Sequence, residues 1–134
     1  MTSIGRPHPH EHKDDRSPQH LGWQSAETIR MLVHLTRQTG FTEPAEAYQM
    51  IAALAATTHA LPQLLRQTAG WLQTQHAAGA VRADHTSSGT GDAGEITAAA
   101  ARHLLDAERT ATCLAVLLDN AGQHLADLAT GQRR

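Results

Sequence analysis

The C-terminal third of the chain carries an uninterrupted stripe of small and apolar side chains at alternating steps of three and four residues. The stripe consists of Thr97, Ala100, Leu104, Ala107, Ala111, Leu114, Leu118, Ala121, Leu125 and Leu128. These steps keep all the positions on one side of a single helix and are typical of a coiled-coil seam. Its alanines allow a neighbouring backbone to come close. The stripe therefore predicts one long helix, from about residue 93 to residue 130, that packs tightly against another helix.

The apolar residues of the chain are mostly small. Among its 134 residues are 24 alanines, against 23 leucine, isoleucine, valine and phenylalanine residues together. A chain of this length can form one domain, but so few large apolar side chains are a lean supply for a core. This composition favours self-association.

Three shorter helices are predicted before the long one. The first begins near Ser25, buries a face that includes Trp23, and ends at Gly40, where glycine can adopt the left-handed conformation. The second opens with Pro44, and Pro62 predicts a kink or a restart at residues 59–61 because proline cannot donate the helical hydrogen bond. The third helix continues from there and ends by Gly79.

Two segments have the composition of flexible chain. Residues 1–20 are rich in histidine and proline and are predicted to be a disordered tail. Residues 80–94 are rich in glycine, serine and threonine and are predicted to be a mobile loop. The folded domain is then expected at residues 21–134. We expect an all-α, antiparallel helical bundle of three to four helices with one long C-terminal helix, which also pairs in a homodimer.

Histidines supply the candidate sites for metal or proton chemistry. His8, His10 and His12 could bind a metal loosely, but a proline-interrupted tail lacks the fixed geometry of a metal centre, so no metal or cofactor is predicted. On the long helix, His103 and Asp106 form a pair at i and i+3, and His124 and Asp127 repeat it. Each aspartate could raise the pKa of its histidine.

The single cysteine, Cys113, lies beside the midpoint between His103 and His124. If two long helices pair antiparallel about that point, His103 of one copy lies near His124 of the other, and Cys113 lies near its own counterpart. A lone cysteine cannot form an internal disulfide, which favours a reducing cytoplasm. The single Lys13 against ten arginines favours a bacterial source with GC-rich codons.

Charge and motifs exclude several function classes. The formal net charge is −2, and the helix after Gly40 opens with Glu43 and Glu46, so a DNA-reading helix is not expected. The chain has no phosphate-binding loop, no paired carboxylates on an apolar face and no apolar segment long enough to cross a membrane. An enzyme is therefore not expected.

The sequence favours a non-enzymatic helical interaction module, a small cytoplasmic adaptor or assembly subunit. It would self-associate through the long helix and could contact another protein through its helix faces. The predicted interface residues are Leu104, Ala107, Ala111, Leu114, Leu118, Ala121 and Leu125. Two alternatives stay open, a dimeric nucleic-acid-associated regulator or mobile-element accessory protein, and a metal-responsive protein that uses the N-terminal histidines.

Overall fold

A computed structural model describes residues 16–80 and 92–131, and this part of the chain is all-helical. The helices are α1 (Pro18–Gln38), α2 (Pro44–Ala77) and α3 (Ala93–Gly131). The chain divides into two compact units, Met1–Phe41 and Thr42–Arg134. The first unit contains α1, and the second contains α2 and α3, which pack closely together. Residues 1–15 of the predicted tail at 1–20 lie outside the described residues, as does most of the predicted loop at 80–94.

Helix α1 begins earlier than its sequence predicts. Ser17 is the N-cap, its hydroxyl accepts a hydrogen bond from the His20 amide at 3.3 Å, and Pro18 occupies the first turn. Ser25, predicted to be the cap, instead lies inside the helix and donates to the Leu21 carbonyl. The boundary drawn between residues 20 and 21 therefore falls within α1. The predicted end is confirmed, since Gly40 has a φ of 63°.

Helix α1 does not bury the face predicted for it. None of its residues is buried, and the Trp23 side chain is 75% exposed. The face predicted to be buried also contains Ala26, Ile29, Leu32, Val33 and Thr36. Of these, only Leu32 and Thr36 are even half-buried. The apolar face of α1 is therefore exposed.

Helix α2 is continuous through Pro62, so the predicted restart at residues 59–61 does not occur. It runs for 34 residues and replaces the two helices expected there. Thr58 and Ala69, one on each side of the proline, are both buried in the second unit. Burial on both sides favours a single helix and outweighs the backbone hydrogen bond that proline cannot donate.

Helix α3 agrees with its prediction in both position and length. It contains 39 residues, about 58 Å at 1.5 Å per residue. Asp92 precedes it, and its carboxylate accepts a hydrogen bond from the Glu95 amide at 2.8 Å, which satisfies one of the free amides of the first turn.

One side of α3 faces α2, and we call it the inner row. It consists of Thr97, Ala101, Leu104, Glu108, Ala111, Ala115, Leu118, Gly122, Leu125 and Ala129. Five of these ten residues are buried, and the other five are half-buried. The buried five are all small, so close approach of the two helices replaces the burial of large side chains.

Four contacts define which parts of α2 and α3 meet. A β-carbon placed on Gly122 would lie 4.0 Å from the Ile51 Cγ2 atom, and one placed on Gly94 would lie 3.1 Å from the His76 Nε2 atom. Between these contacts, His59 meets Asp119 and Arg66 meets Glu108. The residue number on α3 therefore falls as the number on α2 rises.

Replacing Pro62 with alanine should stabilise α2, because it adds a backbone donor and removes the ring from the helix interior. We expect the free energy of unfolding to rise by about 1 to 3 kcal/mol in urea denaturation. The matched control is Pro44→Ala, which changes a first-turn proline where no helical donor is lost. A stability change in Pro62→Ala no larger than in the control would contradict this account.

Replacing Ala111 with leucine should destabilise the protein, because Ala111 is only 7% exposed on the inner row. We expect a loss of about 1 to 3 kcal/mol from overpacking, measured by urea denaturation. Ala98, an exposed alanine of the same helix, provides the control Ala98→Leu, which should change stability by about 0.5 kcal/mol or less. Equal effects of the two substitutions would show that the inner row is not tightly packed.

Candidate protein-binding surface

The predicted stripe on α3 divides into two rows of different exposure. Its members alternate between the inner row and a second row one residue earlier, which we call the outer row. The outer row consists of Ile96, Ala100, His103, Ala107, Thr110, Leu114, Leu117, Ala121, His124 and Leu128. A shift of one residue corresponds to about 100° around a helix, so the two rows lie side by side.

The outer row is exposed although much of it is apolar. Ala100 is half-buried, and the other nine residues are exposed. Its large aliphatic side chains are Ile96, Leu114, Leu117 and Leu128, with exposed fractions between 46% and 64%. Single exposed leucines are common on protein surfaces, whereas four large aliphatic residues and three alanines aligned on one face of a helix are typical of a binding surface.

The seven predicted interface residues fall on both rows. Ala111 is buried, and Leu104, Leu118 and Leu125 are half-buried on the inner row beside α2. Ala107, Leu114 and Ala121 are exposed on the outer row. Leu117, the most exposed leucine of the outer row, is not among the predicted interface residues, although its spacing from Leu114 and Ala121 could have revealed it.

Two polar contacts join α2 and α3. The His59 Nε2 and Asp119 Oδ2 atoms are 2.7 Å apart, and the Arg66 Nε atom donates to the Glu108 Oε1 atom at 2.9 Å. The Glu108 side chain is only 17% exposed, because it belongs to the inner row. These residues are separated by 60 and 42 positions in sequence, so no local motif identifies them.

The predicted pair of His103 and Asp106 on α3 is not formed. Asp106 instead accepts a hydrogen bond from Arg109 at 2.7 Å, again one helical turn away. Both positions of the second predicted pair, His124 and Asp127, are exposed. An arginine offers a permanent charge and a longer reach, so it competes well for the same carboxylate.

A groove of about 190 Å³ lies along the contact of α2 and α3. Its lining includes Tyr48, Ala55, Gly122 and Gln123. Its one carboxylate is Asp119, which His59 already contacts. Within residues 16–80 and 92–131, no three histidine, cysteine or carboxylate side chains converge as a metal site would require. The candidate ligands His8, His10 and His12 lie outside the described residues.

The start of α2 contains an acidic capping contact. The Thr42 amide and hydroxyl both donate to the Glu46 carboxylate, each at 2.8 Å. These hydrogen bonds, the backbone one above all, stabilise the charged form and hold the pKa of Glu46 below its ordinary value. Glu46 therefore caps the first turn of α2.

Comparisons with known proteins identify no relative. No protein-family model matches the chain, and no curated protein or solved structure matches it. In the described part of the chain, none of the helices has both the length and the apolar character needed to cross a bilayer.

The contribution of Glu46 to stability should depend on pH. Its folded-state pKa is lowered, so the contribution is fully present above the ordinary carboxyl pKa of 4.5 and is lost as the pH falls through the folded-state value. A carboxyl ¹³C NMR titration should give Glu46 a pKa below 4.5. The test variant Thr42→Val should raise the pKa of Glu46, because it removes the hydroxyl donor. An unchanged pKa in Thr42→Val would rule out the side-chain contact as a cause.

Proposed function

We propose that the chain is a non-enzymatic helical interaction module, a small cytoplasmic adaptor or assembly subunit that self-associates. Its working part is the pair of helices α2 and α3, and its binding surface is the outer row of α3. The observation that carries this proposal is the exposed apolar outer row beside an inner row that α2 already covers. A cytoplasmic location is favoured by Cys113, which is free and exposed.

We also propose that α2 and α3 form an antiparallel hairpin. The descending order of the four contacts supports this arrangement, since residues late in α2 meet residues early in α3. The two helices are also similar in length, at 34 and 39 residues. Such a hairpin is the simplest unit that can cover the inner row with the chain's own residues.

Self-association would cover both rows of α3 by the same kind of helix-to-helix packing. The inner row serves the contact within the chain, and the outer row has the same alternating steps of four and three residues. A helix that is apolar over such a wide face is normally covered on both rows. A second copy or another helical protein would provide that cover.

Binding to nucleic acid has less support than self-association. Across residues 42–80 and 92–131, eight carboxylates stand against three arginines, a balance of 3 − 8 = −5. Phosphate contacts require the opposite sign. The metal-responsive alternative depends on histidines outside the described residues.

The decisive test is light scattering coupled to size-exclusion chromatography over a range of protein concentrations. We expect the unmodified protein to form a dimer and the Leu114→Glu, Leu117→Glu double variant to be monomeric, because charge on the outer row opposes its burial. The control is Val116→Glu, an equally apolar residue that is 52% exposed but lies outside both rows, and it should remain a dimer.

A monomer at every concentration would overturn self-association. A dimer that persists in the double variant would show that the outer row is not the interface. Circular dichroism of each variant separates loss of association from loss of helix. Our proposal expects no binding to DNA. DNA binding that weakens as the salt concentration rises would favour the nucleic-acid alternative.

A further inference from the structure

We propose that the occupant of the outer row is the outer row of a second copy, paired antiparallel about a two-fold axis beside Thr112. This inference rests on the proposed function and specifies its partner and register. It is an isologous arrangement, in which the same surface serves both copies.

The spacing of the outer row is symmetric about residue 112. The row runs from Ile96 to Leu128 in steps of 4, 3, 4, 3, 4, 3, 4, 3 and 4, which read the same in both directions. Reversal of the helix therefore places every member of the row opposite another member. The facing pairs are Ile96 with Leu128, Ala100 with His124, His103 with Ala121, Ala107 with Leu117, and Thr110 with Leu114. None of the row faces a residue outside it.

The facing pairs also complement each other in size. Each of the four inner pairs joins a small residue to a larger one, as Ala107 and Leu117 illustrate. Two large aliphatic residues, Ile96 and Leu128, meet only at the two ends. Alternation of large and small side chains lets facing helices interdigitate without voids. A shift by one heptad in one direction would place Leu114 against Leu117, and in the other direction it would place two small residues, Ala107 and Thr110, together. Either shift would leave one end of the row unpaired.

The flanking charges are compatible with this register. The flank of the row away from the inner row consists of Ala99, Asp106, Cys113, Asn120 and Asp127, each one residue before a member of the row. Across an antiparallel seam this flank is offset from the row, so its pairs centre on Cys113. They are Asp106 with Asn120 of the second copy, Asp127 with Ala99, and Cys113 with its own counterpart. No carboxylate of this flank faces another carboxylate. Like charges in facing positions would have opposed the pairing.

The row is long enough for a dimer interface at the small end of the biological range. Its 33 residues, Ile96 to Leu128, extend about 50 Å, and a helix is about 10 Å wide. The footprint is then about 500 Å² on each copy and about 1,000 Å² in total, which reaches the size expected of a biological interface. Cover by α1 or by a different protein is the competing outcome.

The sharpest test is a size exchange between Ala107 and Leu117. Ala107→Leu alone should weaken the dimer about tenfold or more by overpacking, and Leu117→Ala alone should weaken it similarly by leaving a void. The double variant restores one large and one small residue in that pair, so its dimer Kd should lie within about threefold of the unmodified protein. Sedimentation equilibrium measures the Kd of each variant.

Cysteine crosslinking with diamide as the oxidant tests the direction of pairing. In a Cys113→Ser background, Ala107→Cys combined with Leu117→Cys should form covalent dimers, whereas Ala107→Cys alone should not. Antiparallel pairing separates the two copies of residue 107 by ten residues, about 15 Å along the axis, beyond the reach of a disulfide.

The outcomes separate this inference from the proposed function. A dimer in which the effects of Ala107→Leu and Leu117→Ala simply add would overturn the register but leave self-association intact. Crosslinking by Ala107→Cys alone would indicate a parallel dimer and would also overturn it. A monomer that keeps its helices would overturn both proposals and favour cover of the outer row within one chain.

Discussion

The close approach of α2 and α3 is the contact on which the second unit depends. Residues of the inner row such as Ala101, Ala115 and Gly122 have little or no side chain, so the backbones themselves come near each other. The benefit is a large number of short-range van der Waals contacts, each weak and together substantial. Each of these positions requires a small residue, because a larger side chain would push the two helices apart along their length.

Glu108 adds specificity to this contact. It is the one ionisable side chain in the inner row, and Arg66 of α2 pairs with it. Alanines alone would allow the helices to slide, since one alanine packs much like another. A carboxylate that is mostly removed from water must keep its partner, so the arginine opposes a change of register. His59 and Asp119 supply a second polar contact of the same kind nearby.

The sequence predicted the parts of the fold that local chemistry determines. The ends of helices at Gly40 and Gly79 follow from glycine's left-handed backbone, and both glycines have positive φ. The long helix follows from its unbroken spacing. The continuity of α2 through Pro62 could not be predicted, because it depends on tertiary burial of Thr58 and Ala69. The start of α1 was missed because the cap at Ser17 lies in a segment whose composition resembles a tail.

The candidate site shows the same division between local and tertiary information. Spacing alone predicted a binding surface on α3, yet it merged two rows that differ by one residue. Only the position of α2 separates Ala111, which is buried, from Leu114, which is exposed. The contact of His59 with Asp119 was likewise hidden, because the partners lie 60 residues apart.

A core made of alanine has a consequence for the whole molecule in the cell. In the described part of the chain, no large side chain is fully buried, so the second unit gains little free energy from apolar burial within one copy. Under the proposed pairing, association would add the free energy that the monomer lacks. Folding would then obey mass action, and the amount of chain synthesised would set the fraction that escapes proteolysis.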